Sequence, residues 1–152
     1  RMSLMNLQKQ QNHITTLYQR GDIDGAKEGF EELITYLEET DQMDFLEYGE
    51  ALLGLGSLYQ NDLDDRASAE DCWQKLASAV NNAEEALAME PEYFDVYTQA
   101  LLLLALVQND LGKIAPAKKN LELLREIAVE VRGEQSPDVV AIDDHLKSLK
   151  RQ

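Results

Sequence analysis

Three stretches of the chain repeat one set of landmarks at helical spacing, and that repetition leaves few folds open. The second stretch carries Leu52, Leu55, Gly56 and Tyr59, an L-x-x-L-G-x-x-Y run that lies on one side of a helix. The third carries Leu101, Leu104 and Ala105, then Gly112, Ala117, Leu121 and Leu124. The first is degenerate but aligns: Leu17 and Tyr18, then Gly21, Ala26, Phe30 and Leu33. Each is a helical hairpin in which small residues let two helices come close. A recurrence of about 34 residues means stacked helix pairs, since one pair cannot bury its apolar face alone. Such a stack offers a binding surface rather than a catalytic pocket.

The apolar positions fix seven expected helices. Helix one covers about residues 4–19, with Leu7, Ile14, Leu17 and Tyr18 on its apolar side. Gly21-Asp22 turns the chain, and Asp22 or Asp24 caps a helix over about 24–39. The third is expected over about 42–60, where Gly54 and Gly56 each cost roughly 1 kcal/mol of helix propensity, a cost tolerated where a neighbour must approach closely. After the polar break Asn61 to Asp65 comes one unusually long helix, about 66–89, with Trp73, Leu76, Val80, Ala83 and Leu87 as its stripe. Pro91 separates it from a helix over about 92–110. The sixth covers about 114–131 and ends at Gly133. Ser136-Pro137 reads as cap and first position of the seventh, about 137–150. The expected fold is all-α: an α-solenoid of three hairpins, about 4–39, 42–89 and 92–131, closed by a capping helix, all in one domain spanning 1–152.

Charge narrows the partners. The net charge is −15, and it is concentrated. Residues 28–112 hold two Lys/Arg against twenty Asp/Glu, while the flanking segments are close to neutral. Nucleic acid and anionic membrane surfaces are disfavoured, because both need clustered cations. A basic partner is permitted, and acidity also serves solubility. The apolar run Leu101–Val107 is far shorter than the roughly 20 residues of a membrane span. No apolar leader opens the chain, and Arg1 ahead of Met2 is set aside as an added residue. The single cysteine, Cys72, allows neither an internal disulfide nor a cysteine zinc site, and cytoplasm is the expected compartment.

The landmarks resemble the tetratricopeptide repeat family. In that family the first helix of a repeat carries a large apolar residue, Leu, a small residue and Tyr. The second carries Ala, an aromatic and a small residue, and a Pro ends the unit. The second stretch matches at Leu52, Leu55, Gly56 and Tyr59, then at Ala79, Ala86 and Pro91. The third matches at Leu101, Leu104, Ala105, Gly112, Ala117, Leu121 and Leu124, and the first at Gly21, Ala26, Phe30 and Leu33. There are departures. The gap from Tyr59 to Ala79 exceeds the family pattern by about eleven residues. Gln108 stands where Tyr is usual, and Gly133 to Val139 resembles the junction of longer, kinesin-light-chain-like repeats. The chain is therefore read as a divergent member.

The resemblance implies a concave groove lined by the first helices. Its inward residues would be Gln11, Thr15 and Tyr18, then Glu50, Leu53, Ser57 and Gln60, then Gln99, Leu102, Leu106 and Asn109. The clamp that some relatives use on acidic chaperone tails is not carried over, because no Lys or Arg lies between Lys27 and Arg66 or between Lys75 and Lys113. The groove reads as polar to acidic at one end and apolar near Leu102 and Leu106, which suits a basic or amphipathic peptide. Alternatively, Leu102 and Leu106 lie beneath the closing helix.

Little else suggests chemistry. Gly54-x-Gly56 lacks a third Gly and a preceding strand, so it is no nucleotide fingerprint. Asn61 to Asp65 has alternating carboxylates without the Gly and Glu of a calcium loop, and reads as helix capping. His13 and His145 stand alone, at the surface or its boundary, and Cys72 beside Trp73 reads as core. No catalytic residue, metal or cofactor is expected. The leading expectation is a non-enzymatic adaptor or scaffold for another protein. The alternatives are a small secretion-type client chaperone and a homo-oligomerising module, for instance a homodimer.

Overall fold

The computed structural model describes residues 4–40 and 44–149, and among these it contains eight helices and no strand. They are α1 (Leu4–Gln19), α2 (Ile23–Glu39), α3 (Phe45–Asn61), α4 (Arg66–Ala77), α5 (Ala83–Leu87), α6 (Pro91–Asp110), α7 (Ile114–Arg132) and α8 (Pro137–Lys147). The expected start of the third helix at 42 and the expected end of the last at 150 lie outside the described residues.

Local chemistry sets the ends. Asp22 caps α2, its carboxylate accepting from the Gly25 amide at 2.9 Å. Asp44 caps α3 by accepting from the amides of Leu46 and Glu47. Asp65 caps α4, accepting from both the amide and the hydroxyl of Ser68. Ser136 caps α8, with Pro137 in its first turn, where a missing amide leaves no bond unmade. The carboxylates of the 61–65 break are thus used individually. Asp62 accepts from the Tyr18 hydroxyl, Asp64 meets Arg66 and Asp65 caps.

The hairpins α1–α2, α3–α4 and α6–α7 stack through α2 on α3, α4 on α6 and α7 on α8. One core runs through the stack from Ile14 to Ile142, with Trp73, Tyr97, Leu52, Leu76, Leu104 and Leu121 fully buried. Gly54 and Gly56 do what their cost in helix propensity requires. A Cβ on Gly54 would sit 2.7 Å from Cζ of Phe30, and one on Gly56 would sit 2.7 Å from Cε2 of Trp73. Glycine on α3 lets α2 close from one side and α4 from the other.

Three expectations are corrected. The long helix over 66–89 is two helices, α4 and α5, separated by residues 78–82. Asn82 accepts from the Glu85 amide at 2.9 Å, and Glu85 reaches back to the Asn81 amide at 2.7 Å. This reciprocal capping starts a new helix although the apolar stripe runs on in sequence. Leu87, expected in the stripe, is 40% exposed. Second, Ala79 is not the small residue of the helix pair, because it is exposed in the break. Ala69 and Trp73 take the Ala and aromatic positions of α4, both fully buried. The extra length therefore follows the second helix instead of preceding it, and α5 folds back on α6 and α7. Third, the period is longer than about 34 residues. The first helices begin at Leu4, Phe45, Pro91 and Pro137, offsets of 41, 46 and 46 residues.

Candidate functional site: two clefts on the concave face

α1, α3, α6 and α8 are the first helices of their units, the side on which the resemblance places a groove. It is not one trough. The α3 and α6 backbones approach closely, whereas among the described residues α1 meets α3 only through side chains and α6 makes no close backbone approach to α8. The α3–α6 contact divides the face into two clefts.

The first cleft, about 260 Å³, lies between α1 and α3 over Phe30 of α2. Thr15, Tyr18 and Ser57 line it. Its ends are tied by side chains: Gln11 Nε2 donates to Glu47 Oε2, and the Tyr18 hydroxyl donates to Asp62 Oδ2 at 3.0 Å. That bond, and the adjacent charge of Asp62, keep the Tyr18 hydroxyl protonated above its ordinary range.

The second cleft, about 340 Å³, lies between α6 and α8, with α7 as its floor. Gln99 and Leu102 come from α6, Ile127 and Val131 from α7, and Ile142 and His145 from α8. Charged groups stand at one end: Asp95, and Arg132 holding Asp138 at 2.8 Å. α8 is fixed to α7 by Arg125, which donates to Asp143 Oδ1 at 2.7 Å. The Arg125 guanidinium holds the Asp143 carboxyl below the ordinary carboxylate range.

The eleven residues expected in the groove separate accordingly. Thr15, Tyr18 and Ser57 share the first cleft, and Gln99 and Leu102 the second. Gln11 is half-buried and spent on Glu47. Leu53 is half-buried against the core at the α3–α6 divide. Gln60 is half-buried, and its Oε1 accepts no hydrogen bond among the described residues. Leu106 and Asn109 are half-buried outside both clefts, and the Asn109 carbonyl accepts from the Gly112 amide at 3.0 Å. Glu50 is exposed at the start of α3. Burial, then Glu47, Asp44 and Glu92, hold its carboxyl above the ordinary range.

α8 does not cover Leu102. It occupies the place of a fourth first helix, beside α7, and leaves the α6 side open. Sequence reasoning therefore missed the α7 and α8 walls. The signal was present in Ala141, Ile142 and His145, which recur at helical spacing on the face turned toward α6.

The cleft between α2, α3 and α4 holds more polar detail. Tyr48 and Tyr59 donate to Glu38 and Glu31, and burial first, then nearby acidic charge, pushes the Tyr59 hydroxyl up to about 12. Cys72 lies there, 6% exposed, and burial pushes its thiol up to about 12, so it is uncharged near neutral pH and a poor nucleophile.

Between the second and third units, a polar bridge replaces the usual apolar packing. Gln108, 3% exposed, donates to Glu70 and accepts from Asn120, and Lys113 donates to Glu70 at 2.6 Å. Gln108 thus gives Glu70 of α4 a buried donor beside Lys113.

Searches of curated proteins and of solved structures return no match to the chain. Residues 50–79 match the family model of the tetratricopeptide repeat, and they span most of α3, all of α4 and the turn after it. That match, together with the stacked hairpins and the close approach of Gly56 to Trp73, supports the resemblance to a divergent tetratricopeptide repeat, shown over residues 50–79.

Proposed function

We propose that the chain is a non-enzymatic adaptor that holds a segment of another protein on its concave face. The carrying observation is the hollow between α6 and α8, lined by the half-buried Leu102 and the half-exposed Val131. A cleft of this size, apolar with a few polar groups at the rim, suits side chains of a bound segment. Tetratricopeptide repeats generally bind other proteins or peptides, which agrees with that geometry. The residues proposed to meet the partner are Gln99 and Leu102 in this cleft and Thr15, Tyr18 and Ser57 in the other. Glu50, exposed between them, is proposed to favour basic segments. A buried, uncharged thiol at Cys72 suits a reducing compartment such as the cytoplasm.

Affinity capture from native extract tests the reading, with four forms of the chain as bait. The wild type should retain a protein. Gln99→Trp, which fills the second cleft, or Thr15→Trp, which fills the first, should lose it. Thr35→Arg on the convex side should retain it. Retention by both filled variants, with loss in Thr35→Arg, would overturn the concave-face assignment.

A further inference from the structure

The second helices enclose a hollow of their own, and the irregular spacing of the second unit creates it. α4 stops at Ala77, the 78–82 break turns the chain, and α5 returns onto α6 and α7. Between the end of α4, the break and α7 lies a cleft of about 450 Å³, larger than either cleft on the first helices. One unit earlier, the place between α2 and α4 is bridged by Lys75, which holds Glu38 at 3.0 Å. Here, among the described residues, no hydrogen bond or ion pair joins Ser78, Asn81 or Asn82 to α7.

The lining keeps bonding capacity of one kind. Only the backbone amide of Asn81 is engaged, by Glu85, and its side-chain amide has no partner among the described residues. Asn82 uses Oδ1 on the Glu85 amide and keeps Nδ2, while Asn120 uses Nδ2 on Gln108 and keeps Oδ1. A carboxamide carries the donor and acceptor of a peptide group, so it pairs with an extended main chain. A helix would leave these amides unmatched, because its backbone is already bonded internally. Nucleobases also pair with carboxamides, but Glu122 and Glu126 outnumber the cleft's one cation, Lys119, and repel phosphate.

Charge fixes the side chains such a segment would carry. Lys119, Glu122 and Glu126 are exposed and make no ion pair among the described residues. From Lys119 to midway between the two glutamates, α7 rises about 7.5 Å. Two residues of extended chain span about 6.6 Å and point to the same side. The residue between them turns to the opposite wall, where Val80 is half-buried.

From the free amides and this charge spacing, we infer that the α4–α7 cleft receives an extended segment of a second partner protein, distinct from the one held on the first helices. Its core is an acidic residue on Lys119, an apolar residue on Val80 and a basic residue on Glu122 and Glu126, in either chain direction. The chain would then join two proteins.

The test is a displayed library of random peptides about eight residues long, panned on the full chain. Enriched sequences should carry an acidic and a basic residue two apart with an apolar residue between. Their affinity should fall about ten-fold in Glu126→Lys and several-fold in Asn81→Ala, and stay unchanged in Gln99→Trp. A peptide with its basic residue changed to Glu should bind Glu126→Lys more tightly than its parent does. Asn81 and Glu126 are exposed, so circular dichroism of both variants should superimpose on the wild type. Sequences without that pattern would overturn the inference, as would no enrichment, no effect of Glu126→Lys and Asn81→Ala, or no gain from the exchanged charge. Peptides lost in Gln99→Trp but kept in Glu126→Lys would overturn it and leave the reading of the first helices standing.

Discussion

The polar bridge at Gln108 gives the most quantitative prediction. Glu70→Ala removes the acceptor of Gln108 Nε2, 3.3 Å away on a side chain that is 3% exposed. A buried donor left without a partner costs about 1–3 kcal/mol. The substitution also removes the 2.6 Å contact with Lys113, but that lysine side chain is 52% exposed, so solvent limits its worth to about 0.5–1 kcal/mol. The expected loss is about 2–3 kcal/mol, a midpoint shift near 1 M in urea for a protein of this size. Glu70→Gln keeps an acceptor within reach of Gln108 and gives up only the charge, so it should cost less than about 1 kcal/mol. Urea unfolding followed by circular dichroism at neutral pH measures both. A double-mutant cycle with Gln108→Ala should show a coupling of about 1 kcal/mol. Equal losses for the two Glu70 variants would refute the argument from satisfaction, as would a cycle with no coupling.

Three further predictions concern other parts of the stack. Gly56→Ala should gain up to about 1 kcal/mol of helix propensity and lose about 1–3 kcal/mol through the Trp73 collision. A net destabilisation with shifted Trp emission is therefore expected, and a stabilised variant would contradict the close approach. Because Arg125 depresses the Asp143 carboxyl, their contact supports α8 docking above the ordinary carboxylate range and is lost as pH falls through the depressed value. Hydrogen exchange in α8 should quicken as pH falls below the ordinary carboxylate range, and that extra quickening should vanish in Asp143→Asn. Glu50, raised by burial and then by Glu47, Asp44 and Glu92, should titrate above an ordinary glutamate by NMR. Its folded value exceeds its unfolded one, so its ionisation opposes folding as pH rises, and Glu92→Gln should lower its midpoint.

The all-α repeat architecture was legible because its signals are local. Leu52, Leu55, Gly56 and Tyr59 state a helix face directly, and Asp22, Ser136 and Pro137 mark helix ends by chemistry that acts within one turn. The α4–α5 break was missed because the apolar stripe from Leu76 to Leu87 continues past it. The decisive bonds, between Asn82 and Glu85, involve residues common on any exposed face. The same misreading placed the small residue of the second unit at Ala79 instead of Ala69. Groove residues were only partly legible. Helical phase assigns Thr15, Ser57 and Leu102 to the inner side, but phase does not say which neighbouring helices touch. Direct packing of α3 on α6, and the lateral placement of α8, are tertiary facts, and they decide that one groove becomes two clefts.

The most direct test of the account is site-specific photo-cross-linking to the captured partner. A photoreactive phenylalanine analogue at Gln99, exposed on the first helix α6, is compared with one at Gln74, exposed on the second helix α4. The account predicts a cross-linked partner from position 99 and none from position 74. Cross-linking from position 74 alone would place the binding surface on the second helices and contradict the concave-face function.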